Sequence, residues 1–287
     1  MIMNEYGSRD NRYDPYINSH ECLVNPNSGF LTKYSHILRA DIDTFPTPGI
    51  VGFWPDKVLA NKYQGYTFRN SSGMSKITEA LKEATSYLGS KHNGWHDIGS
   101  SWFGPSHKIL KLSLMTVALS RYLRVYMFGP GTHCRCASCT ALPQDCQWGS
   151  GPYAGTVLLY AQEIAMNLVW TQEEFDSMKT GYLDYGTTSN ESVCGMLELH
   201  VFHNAEPFSK FSFGAGKYKE YDMSGLILSR VRDYAMYLAL KSSGQGIGEK
   251  IVSQKYSIGK DGSLADVCKQ DGDKTKVEYK DDDTKST

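Results

Sequence analysis

The sequence concentrates thiol and imidazole groups in one short stretch, HCRCASCTALPQDC. His133, Cys134, Cys136, Cys139 and Cys146 are residue types that bind zinc or another soft metal, and zinc needs four such ligands. The paired C-x2-C spacings of a zinc ribbon are absent, however, because Cys146 stands alone. We therefore interpret these residues as buried or loop thiols, with room for one disulfide, and keep a metal site as the alternative.

Histidines elsewhere in the sequence are weaker indications of a metal site. Glu198, His200 and His203 combine a carboxylate with two imidazoles, but on a strand His203 would face away from the other two. His92 and His96 are four residues apart, and the glycine between them weakens any helix that would align them. We interpret both sets as ordinary polar residues of the fold.

No familiar catalytic or nucleotide-binding motif is present in the sequence. The glycine-rich stretches SSGQGIGEK and FGAGKYK lack the full context of a phosphate-binding loop, and the motifs G-x-S-x-G and H-E-x-x-H do not occur. The sequence therefore predicts a protein that is not an enzyme, with no catalytic, cofactor-binding or metal-binding residues. A nucleotide trapped between packed subunits is left open.

Two amphipathic helices are predicted from the spacing of apolar residues. The first runs from Ser75, which could cap it, to Gly89, and its apolar stripe consists of Ile77, Ala80, Leu81, Ala84 and Leu88. The second lies in MSGLILSRVRDYAMYLALK, with a stripe of Ile227, Val231, Tyr234 and Leu238. Thr171 and Glu174 form a capping box that predicts a further, short helix.

Strands are predicted in four stretches: KILKLSLMTVAL, RYLRVYMFGPG, GMLELHVFHN and FSKFSFGAG. Because strands and helices do not alternate regularly, a parallel sheet is disfavoured. The predicted fold class is mainly β with α additions, an antiparallel, jelly-roll-like β-sandwich with an N-terminal arm and peripheral helices. A single domain, 1–287, would comprise the arm (1–48), the sandwich core with helices (49–260) and a polar tail (261–287).

Composition constrains the partners. The chain has 30 Lys and Arg against 31 Asp and Glu, so no net charge attracts it to nucleic acid or to anionic lipid. The segment TVLLYAQEIAMNLVW is too short and too polar to span a bilayer. No secretory signal is apparent, so the seven cysteines are expected to be reduced in a cytosol. The 19 tyrosines indicate either extensive packing between proteins or a tyrosine-rich core.

Three stretches, taken in order, resemble cypovirus polyhedrins: the segment Gly73-Met74-Ser75, EALKEA and His92-Asn93; then RYLRVYMFGPG; then LELHVFHNAEPFSKFSFGAGKY. The resemblance implies a structural protein that forms trimers with copies of itself. These would crystallise around virus particles in the cytoplasm of infected insect cells, as occlusion bodies that dissolve at alkaline pH in the insect gut. It implies no specific nucleic-acid partner and no membrane.

Under this resemblance, tyrosines of the arm are candidate pH-sensitive lattice contacts: Tyr6, Tyr13, Tyr16 and Tyr34. Burial at a contact raises the pKa of a phenol, so such contacts stabilise a lattice below pH ~10 and weaken as the pH rises through the raised value. Two alternatives stay open. One is a non-occlusion viral capsid or inclusion-matrix protein, and the other is a zinc-binding protein or enzyme built on Cys134–Cys146.

Overall fold

The computed structural model of this chain describes residues 18–61, 75–92, 99–126, 157–171, 173–174, 179–201 and 208–246. These residues belong to two units, Met1–Asp41 with Trp54–Gly181, and Ile42–Phe53 with Tyr182–Thr287. Residues 36–46, which lie in the predicted arm, contribute a strand to each unit. No helix among the described residues is long and apolar enough to cross a membrane.

In the part of the first unit that the structure describes, four α-helices accompany a four-stranded sheet. The helices are α1 (Asn18–Val24), α2 (Ser75–Tyr87), α3 (Ser106–Tyr126) and α4 (Val157–Val169). The strands are β1 (His36–Arg39), β3 (Leu59–Asn61), β4 (Trp102–Pro105) and β5 (Lys179–Thr180), in the order β1-β4-β3-β5. The β1–β4 and β3–β4 pairs are antiparallel, and β3–β5 is parallel. Helices α3 and α4 supply much of the buried core, including Ile109, Leu112, Leu123, Ile164 and Met166.

The described residues of the second unit form a smaller sheet and two α-helices. Strands β2 (Thr44–Pro46), β6 (Tyr185–Gly186) and β7 (Glu198–His200) lie in the order β2-β7-β6. The helices are α5 (Lys210–Gly214) and α6 (Val231–Ser243). Strand β7 is buried along its whole length, and its Leu199 belongs to the same apolar core as Val231, Tyr237 and Leu240 of α6. Short 3-10 helices occupy Pro26–Lys33, Pro48–Ile50, Val193–Gly195 and Met223–Gly225.

The prediction of a mainly β fold is wrong. Antiparallel pairs are present in both sheets, as expected, although β6 pairs with β7 in parallel. The strands are only two to four residues long, however, and about half of the described residues are helical. The segment KILKLSLMTVAL, predicted as a strand, lies inside α3. The buried residues of α3, which include Ile109, Leu112, Leu119 and Leu123, follow helical spacing. Leu114, which belongs to the apparent alternation of a strand, is exposed.

A second strand prediction, FSKFSFGAG, is also wrong. The segment forms helix α5, which begins after Ser209, whose side chain accepts a hydrogen bond from the backbone N–H of Ser212. A side-chain oxygen at this position satisfies one of the unpaired N–H groups of the first turn, which favours a helix start over a strand.

A third strand prediction, RYLRVYMFGPG, is wrong where the structure describes it, because Arg121 to Tyr126 are the last residues of α3.

Three other local predictions are confirmed at least in part. Helix α2 begins at Ser75, and Gly89 follows its last turn with φ +76°, the left-handed conformation expected there. Leu88 is partly exposed, however, and does not belong to the buried stripe. The capping box is present, since Thr171 N–H donates to Glu174 Oε2 at 2.8 Å and Glu174 N–H donates to Thr171 Oγ1 at 3.2 Å. Helix α6 confirms a helix in the second predicted segment, but it begins only at Val231, so Ile227 of the predicted stripe precedes it.

Candidate metal centre

The candidate site begins at the turn that joins β1 to β2, with the sequence Asp41-Ile42-Asp43. Ile42 is 93% exposed, whereas the two aspartates on either side of it are partly buried. The antiparallel pairing of β2 with β7 sets Thr44 opposite His200, and the N–H of Val201 donates to the carbonyl of Asp43 at 3.0 Å. This register brings the Asp43 side chain to the end of β7.

Two carboxylates and one imidazole converge there. Asp41, Asp43 and His200 each offer one ligand atom, and these atoms lie within 4.8 Å of one another. The Nε2 atom of His200 is 3.5 Å from Asp43 Oδ1, and the imidazole side chain is only 9% exposed. Two atoms bound to one ion at about 2.1 Å lie at most about 4.2 Å apart. A small inward movement of these side chains would therefore complete a cation site.

The second nitrogen of His200 is held by another carboxylate. Its Nδ1 lies 3.1 Å from Asp184 Oδ1, and Asp184 is 2% exposed. The backbone N–H of Asp184 donates in turn to Glu198 Oε2 at 2.8 Å. Histidines that bind metals generally donate the other ring N–H to a carboxylate, which fixes the tautomer and the ring orientation. Asp184 thus leaves Nε2 of His200 as the nitrogen that faces Asp43.

The charges of the site shift its pKa values strongly. Burial lowers the pKa of His200, but hydrogen bonds to Asp184 and Asp43, together with their charges, outweigh this effect and raise it to about 10. Burial raises the pKa of Asp43, but hydrogen bonds from His200 and Lys210 outweigh it and hold this pKa well below the usual range. Without a bound ion, His200 is therefore protonated at neutral pH, and a cation that binds its Nε2 atom would displace that proton.

Lys210, the first residue of α5, completes the cluster. Its Nζ donates a hydrogen bond to Asp43 Oδ2, the carboxylate oxygen that does not face His200. The Lys210 side chain is 23% exposed. Asp43 is thereby held from two sides.

The donor set indicates which ions would fit. Carboxylates suit Mg²⁺ and Mn²⁺, and imidazole favours transition metals, so Mn²⁺ is well matched and Mg²⁺ is acceptable. Both ions take six ligands in octahedral geometry, and this set supplies three. The remaining positions would be open to water or to a ligand oxygen.

Nothing in the sequence connects these residues to one another. The spacing of Glu198 and His200 predicts ordinary polar residues of a strand, and no motif singles out Asp41, Asp43 or Asp184. The geometry favours a functional interpretation of His200 instead. One sequence signal was present, since two aspartates separated by one residue follow directly after the HILR strand.

Other predicted candidates lie elsewhere or outside the described residues. Tyr34 is described and is 59% exposed. Cys194 is bonded in a disulfide, so the expectation that all seven cysteines are reduced is wrong. His92 Nε2 lies 3.7 Å from Glu163 Oε1 and 3.4 Å from Asn167 Nδ2, and burial lowers the pKa of His92 to about 4. The remaining candidates lie outside the described residues: Tyr6, Tyr13, Tyr16, His96, His133, Cys134, Cys136, Cys139, Cys146 and His203.

Comparison with known proteins yields a family. Neither the curated proteins nor the solved structures contain a significant match to this chain. A family model described as a domain of unknown function, DUF7164, matches residues 2–255, and this chain therefore belongs to that family.

Proposed function

We propose that this chain is a divalent-cation-dependent enzyme that acts on a phosphorylated substrate. The observation that carries the proposal is the convergence of Asp41, Asp43 and His200, with Asp184 bonded to the far nitrogen of the imidazole. A hydrogen-bonded carboxylate behind a histidine is typical of metal ligation and has no counterpart in a simple surface ion pair.

The choice of a phosphorylated substrate follows from how such ions bind. Mg²⁺ and similar cations in proteins are commonly held by one or two carboxylates, with substrate phosphates in the remaining positions. A bound cation also stabilises negative charge that develops on a phosphate oxygen when a bond to it breaks. Lys210 next to Asp43 adds a second positive group that suits an anionic ligand.

The proposal is tested by titrating Mn²⁺ and Mg²⁺ into chelator-treated full-length protein, followed by calorimetry. We expect one ion per chain, with affinity at least tenfold lower in Asp43→Asn and in His200→Ala. Glu220→Gln, an exposed acid, serves as the matched control and should bind like the wild type. Circular dichroism checks that each variant is folded. Absence of binding, or equal affinity in all four proteins, would contradict the proposal.

The enzymatic part needs a separate measurement. We expect turnover of phosphate or diphosphate esters that requires the same cation and is lost in the same two variants. Cation binding with no turnover across a broad panel of esters would restrict the site to a binding function.

A second candidate is self-assembly, as the resemblance to cypovirus polyhedrins implies. Exposed aromatic side chains support it, namely Tyr34, Trp54 and Phe211, because such residues are enriched at protein contacts. Expression of this chain alone in insect cells should then produce faceted intracellular bodies visible by light microscopy. Protein that stays monomeric at high concentration near neutral pH would rule this candidate out.

A further inference from the structure

Lys210 and the candidate cation share one carboxylate. The ammonium group of Lys210 donates to Asp43 Oδ2, while Asp43 Oδ1 faces His200. A cation bound between Asp43 and His200 would lie next to the lysine and would compete with it for the carboxylate charge. Lysine has a flexible stem and three donor hydrogens, so its ammonium group can turn from Asp43 to a ligand on the cation.

The charges around the loaded site do not oppose an anion. Asp41, Asp43, Asp184 and Glu198 contribute four negative charges. Arg39, which lies 3.0 Å from Asp41, and Lys210, which is bonded to Asp43, contribute two positive charges. A divalent cation that has displaced the Nε2 proton of His200 adds two more, so the positive and negative charges are equal. With no net negative charge left, the cation and Lys210 can attract an anionic ligand.

The open coordination positions favour an anion with two connected phosphates. Ligands that approach from one side leave neighbouring positions free on the other side of an octahedral ion. Oxygens of two adjacent phosphoryl groups can occupy two such positions together, as metal ions do in bridging neighbouring phosphates of nucleotides. A single phosphate group could occupy two positions on the ion only by forming a smaller, strained ring with it.

We infer that the ligand of this site is a diphosphate ester, the class that includes nucleoside diphosphates and their sugar conjugates, with Lys210 bound to its phosphate oxygens. This inference rests on the proposed cation site. The cation takes one oxygen from each phosphoryl group, and Lys210 pairs with an oxygen that the cation leaves exposed. Lysine binds phosphate as a point charge, which tolerates more than one orientation of the ligand.

The inference is tested by calorimetry on the full chain with Mn²⁺ present and absent. The probes are inorganic pyrophosphate, uridine diphosphate and adenosine diphosphate, and inorganic phosphate is the matched monophosphate. We expect the diphosphates to bind at least tenfold more tightly than phosphate, and only with Mn²⁺ present. If Mn²⁺ binds but diphosphates bind no better than phosphate, the inference fails and the cation site stands. If Mn²⁺ does not bind, both fail.

Variants of Lys210 test the second part. Lys210→Met should weaken diphosphate binding at least tenfold, while Mn²⁺ affinity without diphosphate stays the same or rises, because a competitor for Asp43 is gone. Lys210→Gln should show the same loss and keeps a donor near Asp43, which provides a second variant if Lys210→Met is unstable. Lys217→Met removes an exposed lysine of the same unit and should change neither affinity. Unchanged diphosphate affinity in both Lys210 variants would overturn the role of this lysine.

Discussion

At the scale of single residues, Asp184 is unusual in both backbone and side chain. It is a non-glycine residue with φ +49°, and its carboxylate is buried against His200. Left-handed conformations of such residues cost of order 1–3 kcal/mol and tend to persist where function requires them. The conformation lets Asp184 direct its side chain at His200 while its N–H bonds Glu198.

The first prediction concerns this residue. Asp184→Asn keeps the size and one acceptor oxygen but removes the negative charge behind His200. We expect Mn²⁺ affinity to fall by about 10–100-fold, the usual effect of losing such a partner. Calorimetry measures the affinity, and Glu220→Gln again serves as the control. A variant that binds Mn²⁺ as well as the wild type would show that Asp184 does not orient a metal ligand.

His20 of the first unit gives a second prediction, about pH. The ring is completely buried, 3.4 Å from Ser113 Oγ and 3.2 Å from Gln162 Nε2, with the Trp102 ring 4.7 Å away. Burial, and then the charge of Arg39, hold the pKa of His20 well below its ordinary value. The unfolded chain therefore binds a proton at a higher pH than the folded one.

It follows that the contribution of His20 to the free energy of unfolding is complete above pH ~6.5, the unfolded pKa, and is lost progressively as the pH falls below it. Urea unfolding between pH 7.5 and pH 5 should show this decline. His20→Gln removes the titrating group, so its stability should fall less steeply over the same range. Equal slopes for the two proteins would mean that His20 is not the group responsible.

At the scale of elements, one strand contact depends on a missing side chain. Gly104 of β4 lies against the chain that leads into β3, and a Cβ at this position would be 2.8 Å from Lys57 O and 2.8 Å from Val58 Cα. Both are backbone atoms, which cannot rotate away. The close pairing of β4 with β3 therefore requires glycine here.

The third prediction is that Gly104→Ala lowers the free energy of unfolding by about 1–3 kcal/mol, the range for added volume in a packed site. Denaturant titration measures it. Gly29→Ala provides the control, because a Cβ there meets nothing within 4 Å. Its free energy of unfolding should stay within about 0.5 kcal/mol of the wild type. A similar small change in Gly104→Ala would contradict the close approach.

At the scale of the whole molecule, cation binding should be coupled to stability. Asp43 lies before β2 and His200 ends β7, and these strands pair only in the folded chain. An ion that binds the folded state alone stabilises it by RT ln(1 + [L]/Kd), about 2.7 kcal/mol at a hundredfold excess over Kd.

The fourth prediction is thus that Mn²⁺ raises the thermal midpoint of the wild type and that a chelator reverses the shift. Asp43→Asn should show no shift at the same concentration. Differential scanning calorimetry measures the midpoint, and Glu220→Gln should respond like the wild type. An equal rise in Asp43→Asn would indicate that the ion acts elsewhere on the chain.

Local sequence determined those elements whose signals lie within one or two turns. Helix α2, with Gly89 at its end, and the capping box of Thr171 with Glu174 both depend on contacts between residues at most four positions apart. Such contacts are encoded in a short window of residues, so composition and spacing predict them well.

Tertiary structure alone decided the rest. The alternating leucines near Leu112 are equally compatible with a strand, and only packing of α3 in the core of the first unit selected the helix. Likewise, Asp43 and His200 meet through the register of β2 with β7, strands far apart in the chain. Pairing between distant strands depends on the whole fold. For this reason the spacing of residues along the chain identified His200 as a candidate but not its partners.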